Sequence, residues 1–223
     1  MLFVFYAVVF LLIQIAFSSS NSFANNNESA NSRGRVAFVL TLAGPKKLAP
    51  YVEWSCRTFG LSSSFFDLLI FHEENIALRQ IRCPSNVKFI SLGENGLSNI
   101  IVQEILQGKE ISDTSKRELL SITNEIIVRC PRYLVEVKPM FGTLFGKYLK
   151  DYSHWSYSDP DIIWGNLENW IDQDDLSQFK YITVAKNMDS GRLFLRGQAT
   201  FISIKKKNLF NFVMFFRNSV NFA

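Results

Sequence analysis

The residues best suited to chemistry are two aspartates one position apart. Asp159 and Asp161 flank Pro160 at the end of the aromatic run "HWSYSDPDIIWGN", His154 to Asn166. Burying a carboxylate without a partner is costly. The pair therefore belongs at an exposed strand end, where it either does nothing special or holds a cation. In an extended chain, residues i and i+2 point the same way, and a proline biases the residue before it toward extended backbone. Both carboxylates can then face one side. A hard divalent cation such as Mg²⁺ or Mn²⁺ prefers oxygen ligands and shares them readily with phosphates. That is the chemistry of a nucleoside diphosphate site, in which the cation neutralises the diphosphate as it leaves. By itself D-x-D is a short pattern that also recurs by chance.

The surrounding elements must position the pair. "RVAFVLTLAG", from Arg35, is a continuous apolar run closed by glycine, the pattern of a parallel strand buried on both faces. A helix is predicted around residues 48–59, with Pro50 in its first turn, where proline is tolerated. "SSFFDLLIFHE" and "NVKFISLGE" read as two further strands. Helices follow in "GLSNIIVQEILQG" and "SDTSKRELLSITNEIIVRC". The second has Ser112 or Asp113 as its cap and Leu119, Ile122 and Ile126 at helical spacing. "VKPMFGTLFGKYLKDY" reads as a helix opened by Pro139. Leu144, Tyr148 and Leu149 are placed toward the sheet, and Gly142 and Gly146 allow close packing. Residues 154–159 form the next strand, followed by a turn and short helix in "GNLENWI". "KYITVA", "RLFLRGQ" and "ATFISIKKKN" are later strands, and "LFNFVMFFRNSVNFA" reads as a helix. The whole is an α/β fold with a mainly parallel sheet flanked by helices. Ligands in such sheets bind beyond the carboxyl ends of the strands. There lie Thr41 after the first strand and His72, Glu73 and Glu74 after the second.

Composition narrows the function classes. The chain has 223 residues, 48% hydrophobic and 20% charged, which fits one globular domain with a sizeable core. Its net charge of +4 is modest, and apart from Lys205–Lys207 the basic residues are scattered, so nothing argues for nucleic acid as a partner. There is no Gly-rich phosphate loop and no G-x-S-x-G elbow. The 2 histidines disfavour a multi-His zinc site and most catalytic triads. The 3 cysteines, Cys56, Cys83 and Cys130, fit no zinc spacing. In an oxidising compartment they allow at most one internal bridge; buried free thiols are the alternative.

Leu2 to Phe17 is apolar except for Gln14. Residues 1–24 therefore read as a cleaved signal peptide or an uncleaved membrane anchor. Residues 25–34 are a polar stem, and the surrounding Ser- and Asn-rich segment holds the acceptor sequence Asn27-Glu28-Ser29. Both readings send residues 35–223 into the secretory pathway, as a luminal or secreted domain.

The segment from "KPMFG" through "WSYSDPDIIWGN" to "RGQATFIS" resembles nucleotide-sugar glycosyltransferases of the GT-A fold. It resembles the glycogenin-like family distantly. It is closer to uncharacterised glycosyltransferase-like proteins of bacterial polysaccharide regions. The resemblance covers roughly residues 35–210, and its specific part is the central motif. It implies a GT-A-like (Rossmann-like) sheet and a transferase that moves a sugar from a nucleotide-sugar donor to a glycan or glycoprotein acceptor. It also implies Mn²⁺ or Mg²⁺ held by Asp159 and Asp161, with Asp161 the more direct ligand. Donor contacts would come from Thr41, Lys138, Asp159, Arg196, Gly197 and Gln198, with Lys138 approaching the phosphates. Trp155, Tyr157 and Trp164 are assigned to the core, not to sugar platforms. The resemblance names no general base. GT-A enzymes often supply a further metal ligand after the D-x-D, frequently a histidine; here both histidines precede it. The pattern stops in mid-course at Ala223, so the domain is expected to be C-terminally incomplete. Two other readings stand beside the transferase: a catalytically silent relative that binds a nucleotide or glycan, and a metal-dependent phosphohydrolase.

Overall fold

The structure is a computed structural model that describes residues 34–43, 49–62, 65–73, 82–184, 200–204 and 212–215. The apolar segment 2–17, the stem with Asn27, and Arg196, Gly197 and Gln198 lie outside the described residues. Among the described residues no helix is long and apolar enough to cross a membrane.

The first two strands are β1 (Val36–Leu42) and β2 (Phe66–His72), joined through helix α1 (Pro50–Phe59). Then come β3 (Val87–Ser91), α2 (Gly96–Ile105) and α3 (Asp113–Arg129). A series of short helical turns occupies residues 131–149, ahead of β4 (His154–Tyr157). The chain continues through α4 (Gln173–Gln178) to β5 (Tyr181–Val184), β6 (Thr200–Ser203) and β7 (Phe212–Phe215). These strands form one 7-stranded sheet in the order β3-β2-β1-β4-β6-β5-β7. The pairs β1–β2, β1–β4, β2–β3 and β5–β7 are parallel, and β6 runs antiparallel to both β4 and β5.

Burial on both faces explains the continuous apolar strands. In β1, Val36, Phe38 and Leu40 point into one core, while Ala37 and Val39 point into the other. In β2, Phe66, Leu68 and Ile70 share the first core, and Leu69 and Phe71 the second. The first core is covered by α1, through Val52, Cys56 and Phe59, and by Trp164, Ile171 and Leu176. Phe38 sits at its centre, in edge-to-face contact with Phe59, Trp164 and Phe201. The second core is covered by α2, by Ile127 of α3 and by the 131–149 segment, where Phe145 stacks on Phe71. Each fully buried ring contributes roughly 1.5–3 kcal/mol relative to exposure.

Three local expectations change. The segment opened by Pro139 is not one helix: it breaks into Lys138–Met140, Phe141–Leu144 and Gly146–Leu149. Leu144 and Leu149 still reach the core and Tyr148 packs at its edge. Gly142 is needed there, because a Cβ would lie 2.6–2.7 Å from the indole of Trp155. A Cβ at Gly146 would meet nothing within 4 Å among the described residues, so no close approach there requires the glycine. Second, Ser112 caps α3 by accepting from the Ser115 N–H, but the side chains this helix buries are Thr123 and Ile127, one position beyond the expected Ile122 and Ile126. Third, the terminal segment read as a helix contains β7, whose aromatic and β-branched residues suit a strand once β5 is there to pair with.

Gly142→Ala is expected to cost on the order of 1–2 kcal/mol, because the added methyl meets a buried indole that has little room to move. Thermal unfolding of the variant beside wild type measures it.

Candidate functional site

The sheet's topology selects one crevice. From β1 the chain moves through β2 to β3 on one side, then returns to place β4 on the other side of β1. The strand order reverses between β1 and β4, and ligands of open α/β sheets bind at the carboxyl ends flanking such a reversal. Thr41, the last residue but one of β1, lies there half-buried. Beyond β4, the Ser158 N–H still donates to the carbonyl of Val39 at 3.1 Å, so the backbone entering the aspartate pair is locked to β1.

The pair itself differs from the expected extended geometry. The strand ends at Tyr157, and Pro160 and Asp161 form a turn. Asp161 is exposed, whereas the Asp159 side chain is 28% exposed. The difference follows from the proline. It fixes its own φ near the value that opens a tight turn, so the chain bends immediately after Asp159.

Lys138 lies buried at 7% exposure in the Lys138–Met140 turn, and its ammonium is ion-paired with Asp159. Lysine is rarely this buried unless paired. The sequence flagged Lys138 only as a group approaching a donor's phosphates. The structure sets it against the carboxylate, 21 positions away along the chain. An ammonium has three donors, so one such bond leaves others for a phosphate oxygen.

The neighbouring strand end is built differently. His72 is buried at the end of β2, with its Nδ1 3.0 Å from the carbonyl of Glu73. Burial pushes the Glu73 carboxyl above its ordinary range, and its Oε1 is buried with no hydrogen-bond partner among the described residues. At the start of α2, Asn95 adopts a left-handed conformation and its side chain makes no cap bond among the described residues. Glu74 lies outside the described residues.

Trp155, Tyr157 and Trp164 are core residues, as expected. The Trp164 indole N–H donates to Ser55 Oγ at 2.9 Å, which ties the segment after the aspartates to α1. Sequence reasoning missed one polar file. Tyr157 bonds Thr200, and Thr200 Oγ1 lies 3.0 Å from Thr183 Oγ1, joining β4, β6 and β5 across the sheet. Isolated threonines in apolar strands give no signal of such a file.

Can these residues hold a divalent cation? Among the described residues there is no group of three or more His, Cys, Asp or Glu that could cage one. Mg²⁺ usually needs no cage: one or two carboxylates, substrate phosphates and waters complete its shell. Asp159 and Asp161 fit a cation that arrives with a diphosphate, and do not fit a permanently held structural metal.

Residues 55–200 match the model of a family of unknown function, DUF6625; the span includes Lys138, Asp159 and Asp161. No curated protein matches the chain.

Proposed function

The chain belongs to DUF6625, and on that footing we propose its activity from the site itself: cation-dependent transfer of a sugar from a nucleotide-sugar donor to a glycan or glycoprotein acceptor in the secretory pathway. The observation that carries the reading is the position of Asp159-Pro160-Asp161 at the strand-order reversal, backed by the buried Lys138. When bound, Mn²⁺ or Mg²⁺ would neutralise the diphosphate as it departs. The chain's own residues do the rest. Lys138 fixes the Asp159 carboxylate, and the Ser158–Val39 bond fixes the backbone that carries it. Asp161 presents its charge at the surface, where a phosphate-borne cation can reach it. In this reading Thr41, near the end of β1, serves the nucleoside side of the crevice; the donor contacts that the resemblance implies for Arg196, Gly197 and Gln198 lie outside the described residues.

A second reading has its own support. The ammonium of Lys138 already neutralises Asp159, so the site can hold a nucleotide or glycan without turning it over. Titrating the protein with nucleoside diphosphates and nucleotide sugars, with and without Mn²⁺, separates the two. Metal-dependent binding with release of free sugar or transfer to an acceptor supports the transferase. Binding without turnover supports the silent relative, and no binding removes the transferase and the nucleotide-binding form of the silent relative.

A further inference from the structure

Two of the three cysteines meet although 27 positions separate them. Cys56 lies on the inner face of α1, fully buried in the core over β1 and β2. Cys83 is half-buried and packs against the same core from the segment that leads into β3. Other contacts hold that segment to the end of α1. The Asn86 side-chain amide donates to the Phe59 carbonyl at 3.4 Å. Pro84 sits so close to Gly60 that a Cβ there would lie 2.3 Å from the proline ring. The Val87 N–H donates to the Pro84 carbonyl at 3.0 Å, closing the turn. Within this frame Cys83 packs against the buried cluster that holds Cys56, so the two side chains are close neighbours. Cys130 is exposed at the end of α3, over the opposite core.

We propose that Cys56 and Cys83 form a structural disulfide when the chain folds in the presence of a small disulfide oxidant such as oxidised glutathione, while Cys130 remains a thiol. The chemistry balances in two exchanges. The thiolate of Cys83, the less buried of the two, attacks a sulfur of glutathione disulfide and expels one glutathione thiolate. The thiolate of Cys56 then attacks the Cys83 sulfur of the mixed disulfide and expels the second. The protein loses two protons and two electrons, and one glutathione disulfide becomes two thiols. Burial pushes both cysteine thiols above their ordinary range, so in the folded protein neither is a ready nucleophile. The bridge therefore forms while the chain is folding and is afterwards shielded from reductants. It would staple α1 to the entrance of β3 and close a loop of about 27 residues in the unfolded chain, which constrains that state. The proposal does not rest on the transferase reading.

The test is refolding of the full chain from denaturant, in a glutathione redox buffer and in excess reductant. Free thiols are then alkylated and the peptides mapped by mass spectrometry. The expected result in the redox buffer is a Cys56–Cys83 linked peptide with Cys130 alkylated, and a melting temperature roughly 10 °C above that of the reduced protein. Cys130→Ala should keep both the link and the shift. Cys83→Ala, at the less buried position, should fold and melt at one temperature whatever the redox buffer. Alkylation of both Cys56 and Cys83 after oxidative refolding would overturn the proposal, as would a link through Cys130 in the wild type.

Discussion

Asp161→Asn is expected to weaken cation-dependent binding of a nucleoside diphosphate at least tenfold, on the order of 1.4 kcal/mol, while leaving the melting temperature unchanged. The two aspartates are not equivalent. Asp159 is partly buried and spends charge on Lys138, whereas Asp161 stands exposed in the turn. An entering cation therefore gains most of its uncommitted negative charge from Asp161. Asparagine keeps the shape and one oxygen but removes that charge, and the turn is one that asparagine favours. Asp159→Asn should instead lower both binding and stability, because it leaves the Lys138 ammonium buried without its counter-charge. Calorimetric titration with and without Mn²⁺, on wild type and both variants, measures this. If wild type and Asp161→Asn bind equally, or neither responds to the metal, the pair is a solvated strand end and the transferase reading loses its main support.

Asp67→Ala is expected to lower the melting temperature by about 6–12 °C, roughly 3 kcal/mol for a domain of this size. Asp67 is at the amino end of β2, and its side chain is only 3% exposed. A single carboxylate oxygen accepts from Arg35 at 2.6 Å, from Lys88 at 3.0 Å and from the Tyr152 hydroxyl at 2.6 Å. Arg35 precedes β1, Lys88 lies in β3 and Tyr152 precedes β4. One carboxylate thus ties together the amino ends of β1 to β4, the opposite edge from the aspartate pair. Arg35 and Lys88 are 47% and 45% exposed and can return to water when the carboxylate is removed. The Tyr152 hydroxyl is buried and would lose its acceptor, so most of the cost falls there.

The same cluster predicts an alkaline limit. Burial, then the hydrogen bond to Asp67 and its charge, raise the Tyr152 phenol above its ordinary value, with Arg35 opposing. A group whose folded value is raised contributes stability that is fully present below its unfolded value, near pH 10 for tyrosine, and is lost as pH rises beyond it. Wild type should lose stability above about pH 10 more steeply than Tyr152→Phe, which carries no ionisable phenol. Denaturant melts across that range decide it; parallel pH profiles would mean that Tyr152 carries no such linkage.

The parallel half of the sheet was legible in the sequence because burial on both faces leaves a local trace. Strands such as Val36–Leu42 and Phe66–His72 are apolar at every position except those that serve the strand ends. The aspartate pair was legible for the complementary reason: charge next to proline after an aromatic strand marks where the chain leaves the core. Backbone breaks were less legible. Nothing local distinguishes a continuous helix from the short turns of residues 138–149, whose path brings Gly142 too close to the Trp155 indole for any side chain. Likewise, Phe212–Phe215 has apolar character that suits helix or strand, and pairing with β5 settles it. Least legible were the charge and sulfur partnerships: Lys138 with Asp159, Asp67 with Arg35, Lys88 and Tyr152, and Cys56 with Cys83. Composition and period tell a residue which side of its own element is dry. Which distant side chain will share that dry space depends on strand order and register, and these exist only once the sheet has assembled.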